Sequence, residues 1–377
     1  MKKAVLISCF DTHEKRLRLI CELLQKEYDV TILLSDFDHI AKKRNGNSKL
    51  KCEYIHVMPY KKNISVKRLY SHDEFARKTY HKLQTIMPDL IYAVIPPNSI
   101  AKYCAKYKLM YKKVKLIFDI MDMWPESVPL ERLKRTWPFR IWKDYRDQNL
   151  RFADFVFTEC ELYQFYLKKY LPPKYGVLYL AKDHVIDYED IAFRKRKNQR
   201  NSDEIILGYL GSINHIIDIG GIEKLISELG KHFRITVKII GDGESRELFI
   251  DTLKRAGANV LFYGVIFDDK KKFEILKECD YALNMMIDSV KVGLTIKSID
   301  YFSYGLPLIN NIKGDTWKLI NERGIGINFD GDVNALLKKI ECSDNEIYER
   351  IYEIFQKQFT IEAFQNSVKK GLDSVQG

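Results

Sequence analysis

A glycine turn, a lysine and an acidic side chain follow one another within residues 291–309, KVGLTIKSIDYFSYGLPLI. The apolar spacing predicts a helix from Thr295 to Tyr304, which puts Lys297 and Asp300 on one side of its first turns. A helix N-terminus that carries a lysine suits a pyrophosphate group. An aspartate one turn later can accept hydrogen bonds from ribose hydroxyls. The segment therefore predicts a site for a nucleoside diphosphate.

Three polar loops follow apolar runs that are predicted as strands in the second half of the chain. Ligands of open α/β sheets bind at the carboxyl ends of the strands. A glycine there lets the backbone approach a ligand, and loop amides can hold phosphate. The alternative is a plain glycine turn between strand and helix. The candidate binding residues are Gly211, Ser212 and Asn214, then Gly241, Asp242 and Gly243, and finally Gly264, Val265 and Ile266.

The segment at 291–309 resembles the donor-binding segment of GT-B glycosyltransferases of family 4, which commonly reads x-G-x-P-x-K-x-x-E-Y-x-x-x-G-x-P. The residues that fill this frame are Gly293, Lys297, Asp300, Tyr301, Gly305 and Pro307. Asp300 replaces the usual Glu, and Val292 stands at the family's other acidic position. The resemblance implies that Gly293, Thr295 and Lys297 lie at the donor phosphates and that Asp300 binds the ribose.

The order of the other loops is similar to that of the same family. Residues 209–212, Tyr-Leu-Gly-Ser, match its Y-x-G-x pattern, and GDGE at 241–244 is a common family motif. His215 lies where many relatives have Arg or Lys. In the family, backbone after the glycine of FYG recognises the base. Tyr263 or Ile266 is therefore expected to pack on the base, with a core position as the alternative for Tyr263.

Two carboxylates follow an apolar run in the first half, in FDIMDMWPES at 118–127. Residues 122–126 resemble the R-D-L-W-P-E segment of family members that build bacterial surface polysaccharides, with Met121 in place of Arg. The resemblance implies that Asp122, helped by Glu126, binds the acceptor hydroxyl or stabilises charge near the anomeric carbon. The alternative is a helix start that Asp122 caps and that Pro125 opens.

The loop after the first strand, CFDTHEKRL, lacks the glycines that most family members have near the phosphates. His13 or Arg16 is the candidate substitute, and a structural role is the alternative for His13. The DFD motif at 36–38 could hold a divalent cation, but a helix cap or a solvent-exposed turn fits a Rossmann-like domain better. No metal is expected, and no cofactor besides the nucleotide-sugar substrate.

Short apolar runs alternate with helical patterns along the chain, which predicts parallel sheets with helices on both faces. The charged segment 192–204 lacks apolar periodicity and is predicted to be a linker. The resemblance implies a GT-B architecture, with two Rossmann-like, doubly wound domains facing a central cleft. Residues 1–195 would bind the acceptor, residues 203–360 would bind the donor, and the helix at 361–377 would pack back on the first domain.

Charge is unevenly distributed along the chain. Residues 1–200 contain 40 Lys and Arg against 24 Asp and Glu, a net charge of +16, and the remainder carries −5. A basic half favours an anionic partner, such as a lipid surface, a lipid pyrophosphate or nucleic acid; a solvated lysine-rich surface is the alternative. The seven scattered cysteines form no C-x-x-C pair, which favours reduced thiols. No apolar run approaches the roughly 20 residues of a membrane-spanning helix.

The sequence is thus identified as a GT-B glycosyltransferase that moves a hexose from a nucleotide-diphosphate sugar, preferably a UDP-sugar, to a lipid-linked glycan. The resemblance implies retention of anomeric configuration and synthesis of bacterial surface polysaccharide. The expected place is the cytoplasmic face of the plasma membrane, bound to anionic lipid, with no nucleic-acid partner. Two alternatives remain: a sugar-nucleotide epimerase of the same fold, and a catalytically silent partner subunit.

Overall fold

The computed structural model describes residues 1–376 except 45–47, 49, 128–135, 184–185, 199–202 and 343. The chain divides into two compact units. The first contains Met1–Leu180 and Ile361–Gly377, and the second contains Ala181–Thr360. The boundary between the compact units therefore falls between residues 180 and 181, whereas the sequence places it at 195–203.

The first unit is built on one open sheet of seven parallel strands. Its spatial order is β5-β2-β1-β6-β7-β8-β9, so the order reverses between β1 and β6. The sheet strands are β1 (Lys2–Ser8), β2 (Tyr28–Ser35), β5 (Glu53–Ile55), β6 (Leu90–Ile95), β7 (Lys115–Ile120), β8 (Phe155–Thr158) and β9 (Tyr175–Val177), and a separate hairpin contains β3 (Phe37–Asp38) and β4 (Lys43–Arg44). The helices are α1 (Glu14–Leu24), α2 (Val66–Ile86), α3 (Asn98–Met110), α4 (Trp137–Leu150) and α5 (Glu161–Leu167).

The second unit contains an open sheet of six parallel strands, in the order β12-β11-β10-β13-β14-β15. Its strands are β10 (Glu204–Leu210), β11 (Arg234–Ile240), β12 (Asn259–Phe262), β13 (Tyr281–Asn284), β14 (Leu308–Asn310) and β15 (Gly326–Asn328). The helices are α6 (Tyr188–Asn198), α7 (Ile219–Leu229), α8 (Arg246–Arg255), α9 (Asp269–Leu276), α10 (Ile296–Ser303), α11 (Asp315–Arg323), α12 (Val333–Glu341) and α13 (Ile347–Gln358). Among the described residues, no helix combines the length and the apolarity that a membrane span requires.

Part of the charged segment at 192–204 is helix rather than linker. Helix α6 belongs to the second unit, and Arg194 within it is only 2% exposed. The Arg194 guanidinium donates to the carbonyls of Cys279, Leu276 and Tyr304, at 2.9–3.4 Å. The sequence alone does not reveal this role, because residue type does not distinguish an arginine that binds buried carbonyl groups from an arginine on the surface. Residues 199–202 of the predicted linker lie outside the described residues.

A buried ion pair holds the centre of the first unit together. Arg16 of α1 donates to both oxygens of Asp119 on β7, at 2.7 and 2.8 Å, and to the Leu178 carbonyl. Tyr92 of β6 donates a third hydrogen bond to Asp119. The final helix, α14 (Ile361–Gln376), belongs to this unit, and the Arg16 guanidinium lies 5.1 Å from the ring centre of Phe364. Arg16 is therefore committed to this ion pair through Nε and Nη2, whereas its Nη1 has no hydrogen-bond partner among the described residues.

We predict that Asp119→Asn destabilises the first unit by about 3–5 kcal/mol, because it leaves the buried Arg16 charge uncompensated. Three of the four tryptophans lie in this unit, so tryptophan fluorescence during urea unfolding mainly reports its transition. The exposed Asp29→Asn is the matched control. Equal midpoints for the two variants would show that the ion pair contributes little.

Candidate functional site

The carboxyl edge of the second sheet brings the predicted donor loops together. Strand order reverses between β10 and β13, and ligands of doubly wound sheets bind at such a reversal. The loop at 211–214 follows β10, and the loop that leads to Lys297 follows β13. The loops after β11 and β12 lie on the same edge because all six strands are parallel.

Lys297 is a largely dehydrated cation held by neutral groups. Its ammonium group donates to the Tyr209 hydroxyl at 2.6 Å and lies 3.4 Å from the Ser212 carbonyl and 4.4 Å from the centre of the Tyr209 ring. Burial lowers the pKa of Lys297 to about 8. No carboxylate of the described residues lies within ion-pairing distance of it. A dehydrated cation without a counter-ion is the electrostatic signature of an anion site.

An asparagine ladder fixes the start of the helix that carries Lys297. The last residues of β13, β14 and β15 are Asn284, Asn310 and Asn328, which are register partners. Each amide bonds the next, at 2.7 and 2.9 Å. Asn284 also binds Thr295, the N-cap of α10, whose hydroxyl accepts the Ser298 amide at 3.0 Å. The helix thus starts at the position that the sequence predicts.

The sequence prediction missed this ladder, although a signal for it was present. Three consecutive strands, YALN, LIN and GIN, each end in asparagine. In a parallel sheet, equivalent strand ends are neighbours, so amide side chains there can bond sideways. The buried amides position Thr295 and Ser298 and have no place for a ligand of their own.

The glycines of the first two loops are needed for close backbone contact. A Cβ on Gly241 would lie 2.0 Å from the Gly211 carbonyl oxygen, and one on Gly243 would lie 2.2 Å from that of Ile213. The loops also bond each other, because Gly211 donates to Ile240 and Ile213 donates to Asp242. The backbone amides of Gly211 and Ile213 are therefore committed to these contacts. Those of Ser212 and Asn214 meet no acceptor among the described residues.

Asp300, the predicted ribose ligand, has an ion-pair partner that the sequence did not reveal. Lys182 lies 2.7 Å from its Oδ1 and 3.5 Å from Asp269. Burial raises the pKa of Asp300, and the Lys182 charge opposes that rise. Other loop side chains pair locally: His215 with Glu244 at 2.7 Å and Asp242 with Arg246 at 3.3 Å. The His215 side chain is exposed.

An apolar surface follows β12 at the predicted base-binding position. Tyr263 is 41% exposed and Val265 is 54% exposed, while Gly264 between them adopts a left-handed φ of 68°. Ile266 is half-buried. The core position considered for Tyr263 is therefore wrong, and its exposed ring offers a flat apolar face of the kind that a base requires.

The two carboxylates predicted in the first unit have different surroundings. Burial raises the pKa of Asp122, although hydrogen bonds from Ser127 and the Met123 amide lower it. Glu126 instead forms an ion pair with Arg146 at 2.7 Å, and Arg146 also bonds Asp147. Glu126 is therefore committed to a buried charge network, whereas Asp122 bonds only neutral groups in the part of the chain that the structure describes.

His13 lies in a short turn between β1 and α1. Its Nδ1 is 3.2 Å from the Ser8 hydroxyl. Burial and the neighbouring Arg16 charge lower its pKa to about 4, so the imidazole is neutral near pH 7. A neutral imidazole can accept a proton, which is compatible with the predicted role and also with a structural hydrogen bond.

One group of three side chains in the described part of the chain has the geometry of a metal site. The ligand atoms of Asp11, Asp38 and His39 lie within 4.8 Å of one another. Asp38 caps a turn, since its Oδ1 accepts the amides of Ile40 and Ala41. Together with burial, the positive charges of Arg68 and Lys42 lower the pKa of His39. The same charges oppose binding of a cation, so this group does not fit a metal well.

We predict that Asn310→Ala loosens the start of α10, because it breaks the middle of the ladder and leaves buried amide groups unsatisfied, at a cost of about 1–3 kcal/mol. Hydrogen exchange of the α10 amides should accelerate more than that of α8. The exposed Asn334→Ala provides the control. Unchanged exchange in α10 would mean that the cap does not depend on the ladder.

The comparisons with known proteins agree on the fold. No protein-family model matches the chain, and no curated protein matches its sequence. Many solved structures match the chain, and those named below match over nearly their whole length at low sequence identity. HepE of Anabaena, in complex with UDP and glucose, has a TM-score of 0.65 and 14% identity, covering 99% of this chain and 100% of its own.

Sucrose-phosphate synthase from Thermosynechococcus elongatus has a TM-score of 0.66 and 13% identity, covering 98% of both chains. The lipopolysaccharide outer core galactosyltransferase WaaB, in its apo form, has a TM-score of 0.66 and 12% identity, covering 99% of both chains. These neighbours and the two open parallel sheets show that the chain has the GT-B fold.

Proposed function

We propose that this protein is a glycosyltransferase that moves a hexose from a UDP-sugar to a lipid-linked glycan. The observation that carries the proposal is Lys297, a dehydrated cation with no carboxylate partner in the described residues, at the start of a capped helix. Its ammonium group and the first amides of α10 supply positive potential for a diphosphate leaving group.

UDP is the preferred nucleotide because HepE was solved with UDP and with UDP-glucose. In this proposal, Lys297 and the loops at 211–214 and 241–243 contact the diphosphate. Asp300 accepts hydrogen bonds from the ribose hydroxyls, and these bonds replace part of its contact with Lys182. The exposed face of Tyr263 and the half-buried Ile266 contact the base. Charge on the leaving diphosphate is thus met by protein groups alone, without a metal ion.

The acceptor assignment rests on the first unit and on WaaB, which acts on lipopolysaccharide outer core. Asp122 is the catalytic candidate because its carboxylate is dehydrated and bonds neutral groups, as a proton acceptor requires. Glu126 then positions Arg146 rather than touching the acceptor. The proposal also includes retention of anomeric configuration and a role in surface polysaccharide synthesis. Proton NMR of the product would reveal the configuration of its anomeric centre.

The deciding experiment is UDP release from UDP-hexoses, with and without membrane-extracted glycan lipid. Transfer predicts release that rises when the lipid is added. An epimerase would interconvert the sugar without releasing UDP, and a silent subunit would leave the UDP-sugar intact. Either outcome would overturn the proposed function.

We predict that Lys297→Ala weakens UDP binding by roughly 1.5–3 kcal/mol, the range for a charge-assisted hydrogen bond. UDP affinity of the unmodified protein should fall as pH rises through the Lys297 pKa of about 8, because the ammonium group loses its proton. That decline should vanish in the variant. Calorimetry at several pH values tests both points, with the exposed Lys291→Ala as control. Equal affinity in both variants would remove Lys297 from the donor site.

We predict that Asp122→Ala lowers turnover by on the order of 100-fold while UDP affinity stays nearly unchanged. In the unmodified protein, activity should fall on the acid side as Asp122 is protonated, at a pH above the usual range for aspartate because burial raises its pKa. The decline of activity at acidic pH should be absent from the Asp122→Asn variant. A parallel loss of UDP affinity would place Asp122 at the donor instead.

We further propose that the first unit docks on anionic membrane through residues 58–70. Ile64, Val66 and Tyr70 are 49%, 82% and 52% exposed. The exposed lysines 61, 62 and 67 lie in the same segment, whereas Arg68 is half-buried. The first half of the chain contains two further basic clusters, of which Lys112 and Lys113 are exposed. Arg132, Lys134 and Arg135 lie outside the described residues.

We predict that binding to vesicles requires anionic lipid and weakens with salt, since each lysine near such a surface contributes about 1 kcal/mol. Replacing lysines 61, 62 and 67 with glutamine should reduce co-sedimentation, and the exposed pair Lys338 and Lys339 serves as the control substitution. Equal binding to neutral and anionic vesicles would leave the lysines as ordinary surface charge.

A further inference from the structure

Two cations of the first unit lie against the same tyrosine ring. The Lys42 ammonium group is 4.9 Å from the centre of the Tyr60 ring, and the Arg68 guanidinium is 6.0 Å from it. Arg68 also lies 5.3 Å from the Trp124 ring. These four side chains, with His39, Phe10, His72, Asn98 and Trp142 that pack around them, are here called the aromatic–basic cluster.

Neither cation has a carboxylate partner within ion-pairing distance in the described part of the chain. Lys42 donates to the His39 carbonyl and to the Asn63 amide oxygen. Arg68 donates to the Asn63 carbonyl at 2.8 Å and lies 3.4 Å from His72 Nε2.

Other shielded cations of this unit are paired. Arg16 binds Asp119, Arg146 binds Glu126, and Lys108 binds Asp154. Lys42 and Arg68 differ from these three cations because no carboxylate of the described residues pairs with them.

The cluster lies where the first sheet is expected to bind a ligand. Strand order reverses between β1 and β6. Phe10 follows β1, Asn98 opens the helix after β6, and Trp124 follows β7. Phe10 contacts His39 and His72, with ring centres 4.6 and 5.5 Å apart. This is the same carboxyl edge that carries Asp122.

Several buried polar atoms of the cluster have no hydrogen-bond partner among the described residues. Besides Tyr60 Oη and His39 Nδ1, they include His72 Nδ1, Asn98 Oδ1 and Trp142 Nε1, on residues that are 2%, 0% and 5% exposed. An unsatisfied buried group costs about 1–3 kcal/mol, so a native protein retains three of them together only with a compensating role. Arg68 Nε donates to His72 Nε2 at 3.4 Å, so a movement of Arg68 towards a ligand would free that ring nitrogen as well.

We propose that the aromatic–basic cluster binds an anionic sugar of the acceptor glycan, with Arg68 and Lys42 on its carboxylate or phosphate group. The Tyr60 and Trp124 rings lie beside Lys42 and Arg68 and are only 3% and 9% exposed, so a pyranose reaches these rings and the unsatisfied polar atoms once the two cations move to its anionic group. The positive charges of Lys42 and Arg68 favour an anion. Burial and the Arg68 charge lower the pKa of His39 and that of His72. The proposal rests on the proposed transferase function and names the chemical class of its acceptor.

Binding of matched sugar probes tests the proposal. Methyl glucuronide and methyl glucoside differ only in the carboxylate, and glucose 6-phosphate and inorganic phosphate distinguish a sugar anion from phosphate alone. Titration calorimetry and NMR of the histidine rings should show binding of the glucuronide or the sugar phosphate about tenfold tighter than that of the glucoside, as charge-assisted hydrogen bonds imply. The His72 resonance should shift with the charged sugars.

Arg68→Gln and Lys42→Gln should each abolish the preference for the charged sugar. Arg77→Gln, an exposed arginine on the same helix, should retain it. UDP affinity should be equal in all three variants, and a thermal melt confirms that each is folded. Two independent variants keep the test valid if one of them unfolds.

Equal binding of glucuronide and glucoside, or no binding of either charged sugar at millimolar concentration, would overturn the inference. Binding of inorganic phosphate as tight as that of glucose 6-phosphate would overturn the assignment to a sugar. UDP binding in the same samples separates this failure from failure of the proposed function. If UDP binds and the charged sugar is not preferred, only the acceptor class is wrong; if UDP does not bind, the transferase proposal falls as well.

Discussion

The second unit is organised around one uncompensated charge, the ammonium group of Lys297. Burying a cation without a counter-ion is unfavourable, as its pKa of about 8 shows. The surrounding structure tolerates this charge because its contacts come from the Tyr209 hydroxyl and the Ser212 carbonyl, which are neutral acceptors. Such acceptors hold the side chain in place without neutralising it. A carboxylate at the same position would stabilise the empty protein and compete with an anionic ligand.

Rigidity around that charge comes from backbone and amide contacts. The asparagine ladder holds Thr295, and Thr295 caps the helix that carries Lys297. On the other side of the ammonium group, Gly211 lies so close that a Cβ there would be 2.8 Å from the Lys297 Cε. Gly241 packs directly against Gly211, since a Cβ on Gly241 would lie 2.0 Å from the Gly211 carbonyl oxygen. Loop shape and lysine position are therefore coupled, since a larger side chain at either glycine would displace the other elements.

The sequence predicted the elements whose signals are local. The start of α10 at Thr295 and the turn at Gly305, whose φ is 62°, follow from capping and left-handed backbone preferences. The unit boundary and α6 could not be read in this way, because the burial of Arg194 depends on carbonyls contributed by residues 82 to 110 positions away. The partners of Asp300 and Glu126, Lys182 and Arg146, are also distant in sequence. Side-chain pairing across a fold leaves no periodic pattern that a single sequence could reveal.

The low pKa of Lys297 also sets a relation between pH, stability and binding. The folded group loses its proton near pH 8, whereas the unfolded chain retains it up to the ordinary lysine value of 10.5. Between those values the unfolded state binds more protons, so the ligand-free protein gains stability as pH rises. In the proposed donor site, a bound diphosphate would oppose this trend, because the anion favours the charged lysine and raises its pKa. In that proposal, Lys297 destabilises the empty fold and stabilises the occupied one, as a binding residue does.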